Sequence, residues 1–501
     1  MRAKVIVAAA LLLGLVAWDF VAATTFVGDD YLFLAFARLE PNPLLAFVRD
    51  MHGGEYYRPL PMLLWWLLGR VGQGAKWPFA LAAFLLHAGS AALVVALGRG
   101  VGFTLRVSLT AGALFLVAPA EREAALWFAA STDLLATLAT LAALVCLLRD
   151  SRGWRAASVV LAAVAYFSKE TALVLPLLAM AAKFGAASRR ENTEGRGEGT
   201  ASLRACVVPV IPHVIAAAGY LVVRFAVLGG LGGTNDPVAP WWGRGLQVAA
   251  GLVHAVTAYA PLPDAVAWIM GGTGLVVAGV LAVRARPRAW FPVIWVLLAC
   301  LPLPAAGWVV GARYFYLPAV GLVLMLALAA DTRGAVGATV AIAVLAVMGL
   351  GTTATRMDEV RRYRAVVNAA RVAVTKGAQA GHTIFLVRNG VKDLDLAVKL
   401  SPRAGRVPEP LLVIPDVPAS FVWMPDGLAR RAGFLLARPP LPPAGEYRFG
   451  GQSIMGLARR EEAPELADVL ARLPELRIIE LIADKHGQVT WRDRTDGEVS
   501  R

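Results

Sequence analysis

Long apolar runs recur from the start of the chain to well past its middle, each near the length that crosses a bilayer. Lipid offers the backbone no hydrogen-bond partners, so such runs fold as helices, and about 20 apolar residues span the hydrocarbon. The first run covers Val5 to Val27. Others lie near 77–98, 107–119, 131–148, 156–167, 171–185, 205–228, 265–283, 289–307, 314–330 and 334–352. That predicts about eleven spans, two of them short. The short pieces around Phe167 and Thr171 are expected to share one tilted or re-entrant turn. The segment 244–262, opened by Arg244 and closed by Pro261 and Pro263, is expected to lie along the surface.

Composition agrees. Of 501 residues, 58% are hydrophobic and 17% charged, against about 25% charged in soluble domains. An ordinary soluble protein is excluded. The formal net charge of +14 does not point to nucleic acid, because no basic face with interleaved aromatics appears. The cations collect instead in short loops: Arg99 and Arg106; Arg149, Arg152 and Arg155; Lys183, Arg189, Arg190 and Arg204; Arg284, Arg286 and Arg288; Arg333. This is the positive-inside pattern, and it predicts a cytoplasmic N-terminus. The N-terminal run could pass for a signal peptide. The acidic pair that follows Val21-Ala22-Ala23 argues for an uncleaved first span. Cys146, Cys206 and Cys300 lie in apolar runs without metal-type spacing, so no metal site is predicted from them.

Beyond residue 352 the chain turns charged and Pro-rich. Strand-like runs occur at Thr383–Val387 and Leu411–Ile414, and 478–482 and 488–491 flank a turn at Asp484-Lys485-His486-Gly487. The expected division is a membrane domain over 1–352 and a small α+β extracytoplasmic domain over 353–501. The stretch Ser188–Ser202 reads as a flexible cytoplasmic linker.

The same topology gathers a second polar set on the opposite, outer face: Asp29, Asp30, Arg58, Glu121, Glu123, Asp133, Lys169, Glu170 and Arg313. An enzyme acting on one leaflet places its charges at one edge, whereas a transporter places them near the midplane. Asp29 and Asp30 are neighbours and so diverge by about 100° on a helix; one can serve as base while the other orients it. A solvated helix stop is the more usual role of charges at a span end. Arg58, in Tyr56-Tyr57-Arg58-Pro59, can fork a phosphate or anchor a headgroup. Asp133 ends Ser131-Thr132-Asp133 and is a cap candidate for the next span. Lys169 with Glu170 reads as a local ion pair or as a phosphate-holding Lys oriented by the Glu. Arg313, followed by Tyr314 and Tyr316, reads as a snorkelling Arg or a second phosphate clamp with aromatic walls.

The order of these elements resembles the GT-C superfamily of polyprenyl-phosphate-sugar-dependent membrane glycosyltransferases. It is most similar to the transmembrane O-mannosyltransferases and their bacterial relatives. The matching elements are Asp29-Asp30, Tyr57-Arg58-Pro59-Leu60, Leu85-Leu86-His87, Pro119 with Glu123-Ala124 and Asp133-Leu134-Leu135, Ser168-Lys169-Glu170, and Arg313-Tyr314-Phe315-Tyr316-Leu317-Pro318. The family's His residues near the Pro are replaced by Ala118 and Glu121, and its tetratricopeptide repeats are missing.

The resemblance implies an all-α multi-pass bundle and an inverting transfer of a sugar, mannose in that branch, from a polyprenyl-phosphate donor. It implies an acceptor hydroxyl on a protein, lipid or cell-envelope glycan, at the outer face of a bacterial inner membrane. It assigns catalysis to Asp29 and Asp30 and the donor phosphate to Arg58, Lys169 and Arg313. Supporting roles fall to Tyr57, Glu123, Asp133, Glu170, Tyr314 and Tyr316. No cofactor is implied, and dependence on a divalent cation is left open. Membrane lipids are partners; nucleic acid is not. The alternatives are a lipid or polysaccharide transporter, supported by the deeper Asp19 and His87, and a scaffold that has kept the fold without the chemistry.

Overall fold

Apolar runs in this chain become helices wherever they are described, because each helix satisfies its own backbone. The computed structural model describes residues 2–27, 30–49, 56–72, 75–118, 122–149, 151–194, 203–230, 290–306, 312–379, 383–387, 411–414, 423–425, 452–454, 476–483 and 489–493, with a few further residues between 232 and 280. Its helices are α1 (Arg2–Ala22), α2 (Asp30–Leu39), α3 (Pro59–Gly72), α4 (Trp77–Gly100), α5 (Leu105–Val117), α6 (Arg122–Leu126), α7 (Ser131–Leu147), α8 (Arg152–Tyr166), α9 (Leu175–Glu194), α10 (Leu203–Val207), α11 (Ile211–Leu228), α12 (Trp290–Cys300), α13 (Ala319–Asp331) and α14 (Gly334–Gln379). Among the described residues, five helices are long and apolar enough to cross a membrane. The expected spans near 265–283 and the surface segment 244–262 lie largely outside the described residues.

The chain divides into two units. The first comprises Met1–Ala23, Ala80–Ala226 and Gly233–Thr355; the second comprises Thr24–Phe79, Val227–Gly232 and Arg356–Arg501.

In the first unit α7 packs on α8, α5 on α13, and α12 on both α13 and α9. Lipid tails are as apolar as leucine, so close packing rather than water exclusion must hold such helices together. Small residues permit the approach. A Cβ added at Gly112 of α5 would run into Val95 Cγ2 and lie 2.9 Å from the Ala91 carbonyl of α4. One added at Gly321 of α13 would lie 2.6 Å from the Pro292 carbonyl of α12. The indole of Trp295 pins the same crossing by donating to the Leu317 carbonyl at 2.9 Å. Between α8 and α9 the chain breaks at Phe167-Ser168-Lys169 and re-enters through a short 3-10 helix, Glu170–Val174. The helix ending there is satisfied by Ser168 and Lys169 amides donating to the Ala165 carbonyl.

In the second unit α2 packs on α3 around buried aromatics. Trp65 stacks within 4.6 Å of Phe79 and 5.2 Å of Phe33. Lys76 Nζ and Arg364 Nη2 both donate to the Thr24 carbonyl, at 2.9 and 3.2 Å. Burial, and secondarily the Arg364 guanidinium, hold the Lys76 ammonium below its ordinary pKa. In the C-terminal part, β1 (Thr383–Val387), β2 (Leu411–Ile414), β5 (Leu476–Ala483) and β6 (Val489–Asp493) form a sheet in the order β2-β1-β5-β6. β1 runs parallel to β2 and β5, and β5 pairs antiparallel with β6. A separate antiparallel pair joins β3 (Trp423–Pro425) to β4 (Gln452–Ile454).

Candidate functional site

Charged residues at helix ends meet in the first unit because three breaks in the helical pattern lie close together. These are the segment between α6 and α7, the 3-10 entry to α9, and a 3-10 turn at Ala312–Phe315. The helix α6 lies against the 312–315 turn, and α7 against both α6 and the 170–174 turn.

Asp133 sits in the first turn of α7, and its carboxylate accepts from Lys169 Nζ at 2.6 Å through each oxygen. The side chains are 7% and 2% exposed. The cap position of α7 is Ala130, not Asp133. A carboxylate in this dry environment gains more from a cation in direct contact than from capping a helix end, since charge-assisted bonds are the stronger kind. Lys169 also rests over the Tyr314 ring, 4.7 Å from its centroid. Arg313 also contacts this group, its guanidinium 4.5 Å from the Trp127 centroid and 4.9 Å from that of Tyr314. Arg313 Nη2 lies 3.4 Å from the Tyr314 hydroxyl. The result is an alternating series of Asp133, Lys169, Tyr314, Arg313 and Trp127. Lys169 is enclosed, whereas Arg313 is half-buried, so the guanidinium is the cation of this series able to meet a ligand.

Glu170 does not pair with Lys169. Its carboxylate is 3.9 Å from Arg224 Nη1, and Arg224 in turn donates to the Tyr220 hydroxyl at 3.2 Å. Arg224, only 5% exposed in α11, is a residue the sequence reading missed. The available signal was an arginine inside an 18-residue apolar helix, which requires a polar partner. Trp127 was likewise not singled out, and nothing in its local sequence distinguished it from an interfacial tryptophan.

Tyr316 is fully buried, and its hydroxyl lies 2.8 Å from His87 Nδ1. His87 and Asp19 are both buried and line a small cavity with Phe20, Leu116 and Ala125. Glu123 lies on α6. Asp29 and Glu121 lie outside the described residues. Among the described residues, no group of three or more His, Cys, Asp or Glu could hold a metal ion.

Three described site residues of the prediction belong to the second unit. Asp30 opens α2 and is fully buried; its Oδ2 accepts from the Val27 amide at 2.9 Å. Tyr57 is buried and donates to the Phe47 carbonyl at 2.9 Å. Arg58, just before α3, stacks 4.2 Å over the Tyr56 ring.

No family model matches the chain. Over 138 residues it is 36% identical to the protein O-mannosyl-transferase Tmtc2 of Drosophila melanogaster. That stretch is 25% of this chain and only 14% of the relative. The structure of ArnT from Cupriavidus metallidurans bound to undecaprenyl phosphate superimposes with a TM-score of 0.56 at 13% identity, over 99% of both chains. The Archaeoglobus fulgidus oligosaccharyltransferase tethered with an acceptor peptide gives a TM-score of 0.39 at 12% identity, over 80% of this chain and 64% of that one. At this identity the ArnT likeness shows a shared fold.

Proposed function

We propose that the protein is an inverting glycosyltransferase that moves a sugar from a polyprenyl-phosphate donor to an acceptor hydroxyl at the outer face of a bacterial inner membrane. The observation that carries this reading is the Asp133–Lys169–Tyr314–Arg313–Trp127 series, which joins elements far apart in sequence at the ends of apolar helices. The ArnT fold and the Tmtc2 identity support it.

In this reaction the acceptor oxygen attacks the anomeric carbon as the bond from that carbon to the phosphate oxygen breaks. The electron pair of that bond leaves on the polyprenyl phosphate, and the hydroxyl proton passes to a base. Arg313 stabilises the leaving phosphate where negative charge develops, and Arg58 offers a second guanidinium. Lys169, held by Asp133, supports Tyr314 instead of binding phosphate itself. Asp29 is the base and Asp30 its orienting neighbour. Glu123 is left for acceptor contacts, and Glu170, 3.9 Å from Arg224 Nη1, for holding that guanidinium or for the acceptor. In this reading the region 353–501 lies on the extracytoplasmic side. The acceptor is a protein, lipid or envelope glycan.

Transfer from a polyprenyl-phosphate sugar by purified protein tests the reading directly. Arg313→Ala is expected to lower kcat by about 10²–10³-fold, the usual consequence of losing one oxyanion donor. Asp29→Asn is expected to abolish transfer, and Asp30→Asn to reduce it. Full activity in both Asp variants sinks the base assignment. Flipping of a lipid-linked sugar by reconstituted protein without any transfer replaces the enzyme with a transporter.

A further inference from the structure

His87 is the single titratable residue of α4 before Arg99, and it is 3% exposed. Its two ring nitrogens have fixed roles. Nε2 lies 3.2 Å from the Leu116 carbonyl, which can only accept, so Nε2 carries a hydrogen. In the neutral ring Nδ1 then offers a lone pair, and the Tyr316 hydroxyl donates to it at 2.8 Å. A ring engaged at both nitrogens is suited to holding its neighbours rather than to relaying protons or binding a metal.

Both neighbours belong to the site's framework. Leu116 is in the last turn of α5, immediately before the segment that leads to α6. Tyr316 closes the turn bearing Arg313, its amide donating to the Arg313 carbonyl at 3.2 Å. The Tyr316 ring is fixed further by Phe115, edge-on at 5.2 Å, and the imidazole lies 5.6 Å from the same phenylalanine. A hydroxyl anchored at one end of a one-turn unit sets the direction of the side chains at the other. We infer that His87 is a positioning residue: by gripping Tyr316 it fixes the turn from which Arg313 reaches the donor phosphate. This inference rests on the glycosyltransferase reading and adds to it a residue that touches no substrate.

The test compares wild type, His87→Phe, His87→Asn, Tyr316→Phe and the double variant His87→Phe/Tyr316→Phe. Transfer from a polyprenyl-phosphate sugar is measured together with thermal stability. Misplacing a catalytic group by about 1 Å costs on the order of 100-fold, so His87→Phe and Tyr316→Phe are each expected to lower kcat by up to that factor, with KM for the donor little changed. The double variant is expected to be no slower than either single one, because both break one link. His87→Asn places an amide oxygen near the Nδ1 position and is expected to recover activity; a purely space-filling role predicts no such rescue. Wild-type kcat in Tyr316→Phe, or additive losses in the double variant, overturns the role. If His87→Phe does not fold, Tyr316→Phe and His87→Asn decide the matter on the same criteria. Absence of transfer by the wild type overturns the glycosyltransferase reading and this role with it.

Discussion

Lys169 shows how one residue's partner changes its function. An ammonium 2% exposed and bonded to both oxygens of Asp133 has spent its charge inside the protein. Removing one member of a buried pair strands the other and costs about 3–5 kcal/mol, while replacing both by apolar groups can be nearly neutral. Asp133→Leu and Lys169→Met are therefore each expected to lower stability by several kcal/mol, and the double variant to recover most of the loss. Thermal or denaturant unfolding of the four proteins checks this, and additive single effects contradict the pairing. Sequence located both residues among the polar groups of one face but not their bond. The partners are 36 positions apart, and Ser131-Thr132-Asp133 looks locally like a helix cap. Glu170, adjacent to Lys169, was the obvious partner by proximity. The backbone at Lys169 is extended, φ −161° and ψ 139°, which separates its side chain from that of Glu170. For Arg313 the sequence left a snorkelling residue and a phosphate clamp both open, and its contact with Trp127 could not be read from neighbouring residues.

At the scale of elements, apolar length identified helices well and their limits poorly. Pro318 delays α13, so Arg313 occupies a 3-10 turn before the helix instead of heading it. At the other extreme α14 runs on to Gln379, far past the apolar residues ending near 352, because helix propensity continues after hydrophobicity stops. The α12–α13 crossing is where element packing can be tested. At Gly321, a methyl group would meet the Pro292 carbonyl at 2.6 Å, Val296 Cγ2 at 2.7 Å and Trp295 Cδ1 at 2.9 Å. Alanine improves helix propensity by up to about 1 kcal/mol, but a backbone carbonyl and a buried indole cannot step aside cheaply. Overpacking costs about 1–3 kcal/mol, so Gly321→Ala is expected to melt earlier. Gly219 of α11 is the comparison: its added Cβ meets nothing within 4 Å, and Gly219→Ala is expected to be neutral or slightly stabilising. Equal melting temperatures for the two variants contradict the crossing.

For the whole molecule, the sequence placed one polar set on one membrane face, and in the first unit α6, Asp133, Lys169 and Arg313 do converge. The reason is general: a charge is tolerated at a helix end and costly in mid-span, so helices of similar length carry their charges to a common level. A ligand that engages this level must couple to the stability of the whole fold. A polyprenyl phosphate that binds the folded state alone stabilises it by about 2.7 kcal/mol at ~100 times its Kd. The wild type is expected to melt measurably higher in its presence. Inorganic phosphate, which lacks the chain that packs along apolar helices, is expected to have a much smaller effect. Arg313→Ala is expected to lose most of the shift, whereas Lys169→Met, corrected for its lower starting stability, is expected to keep most of it, because Asp133 already holds that ammonium. Equal loss in the two variants would return Lys169 to direct phosphate binding, and a full shift in Arg313→Ala would remove Arg313 from it.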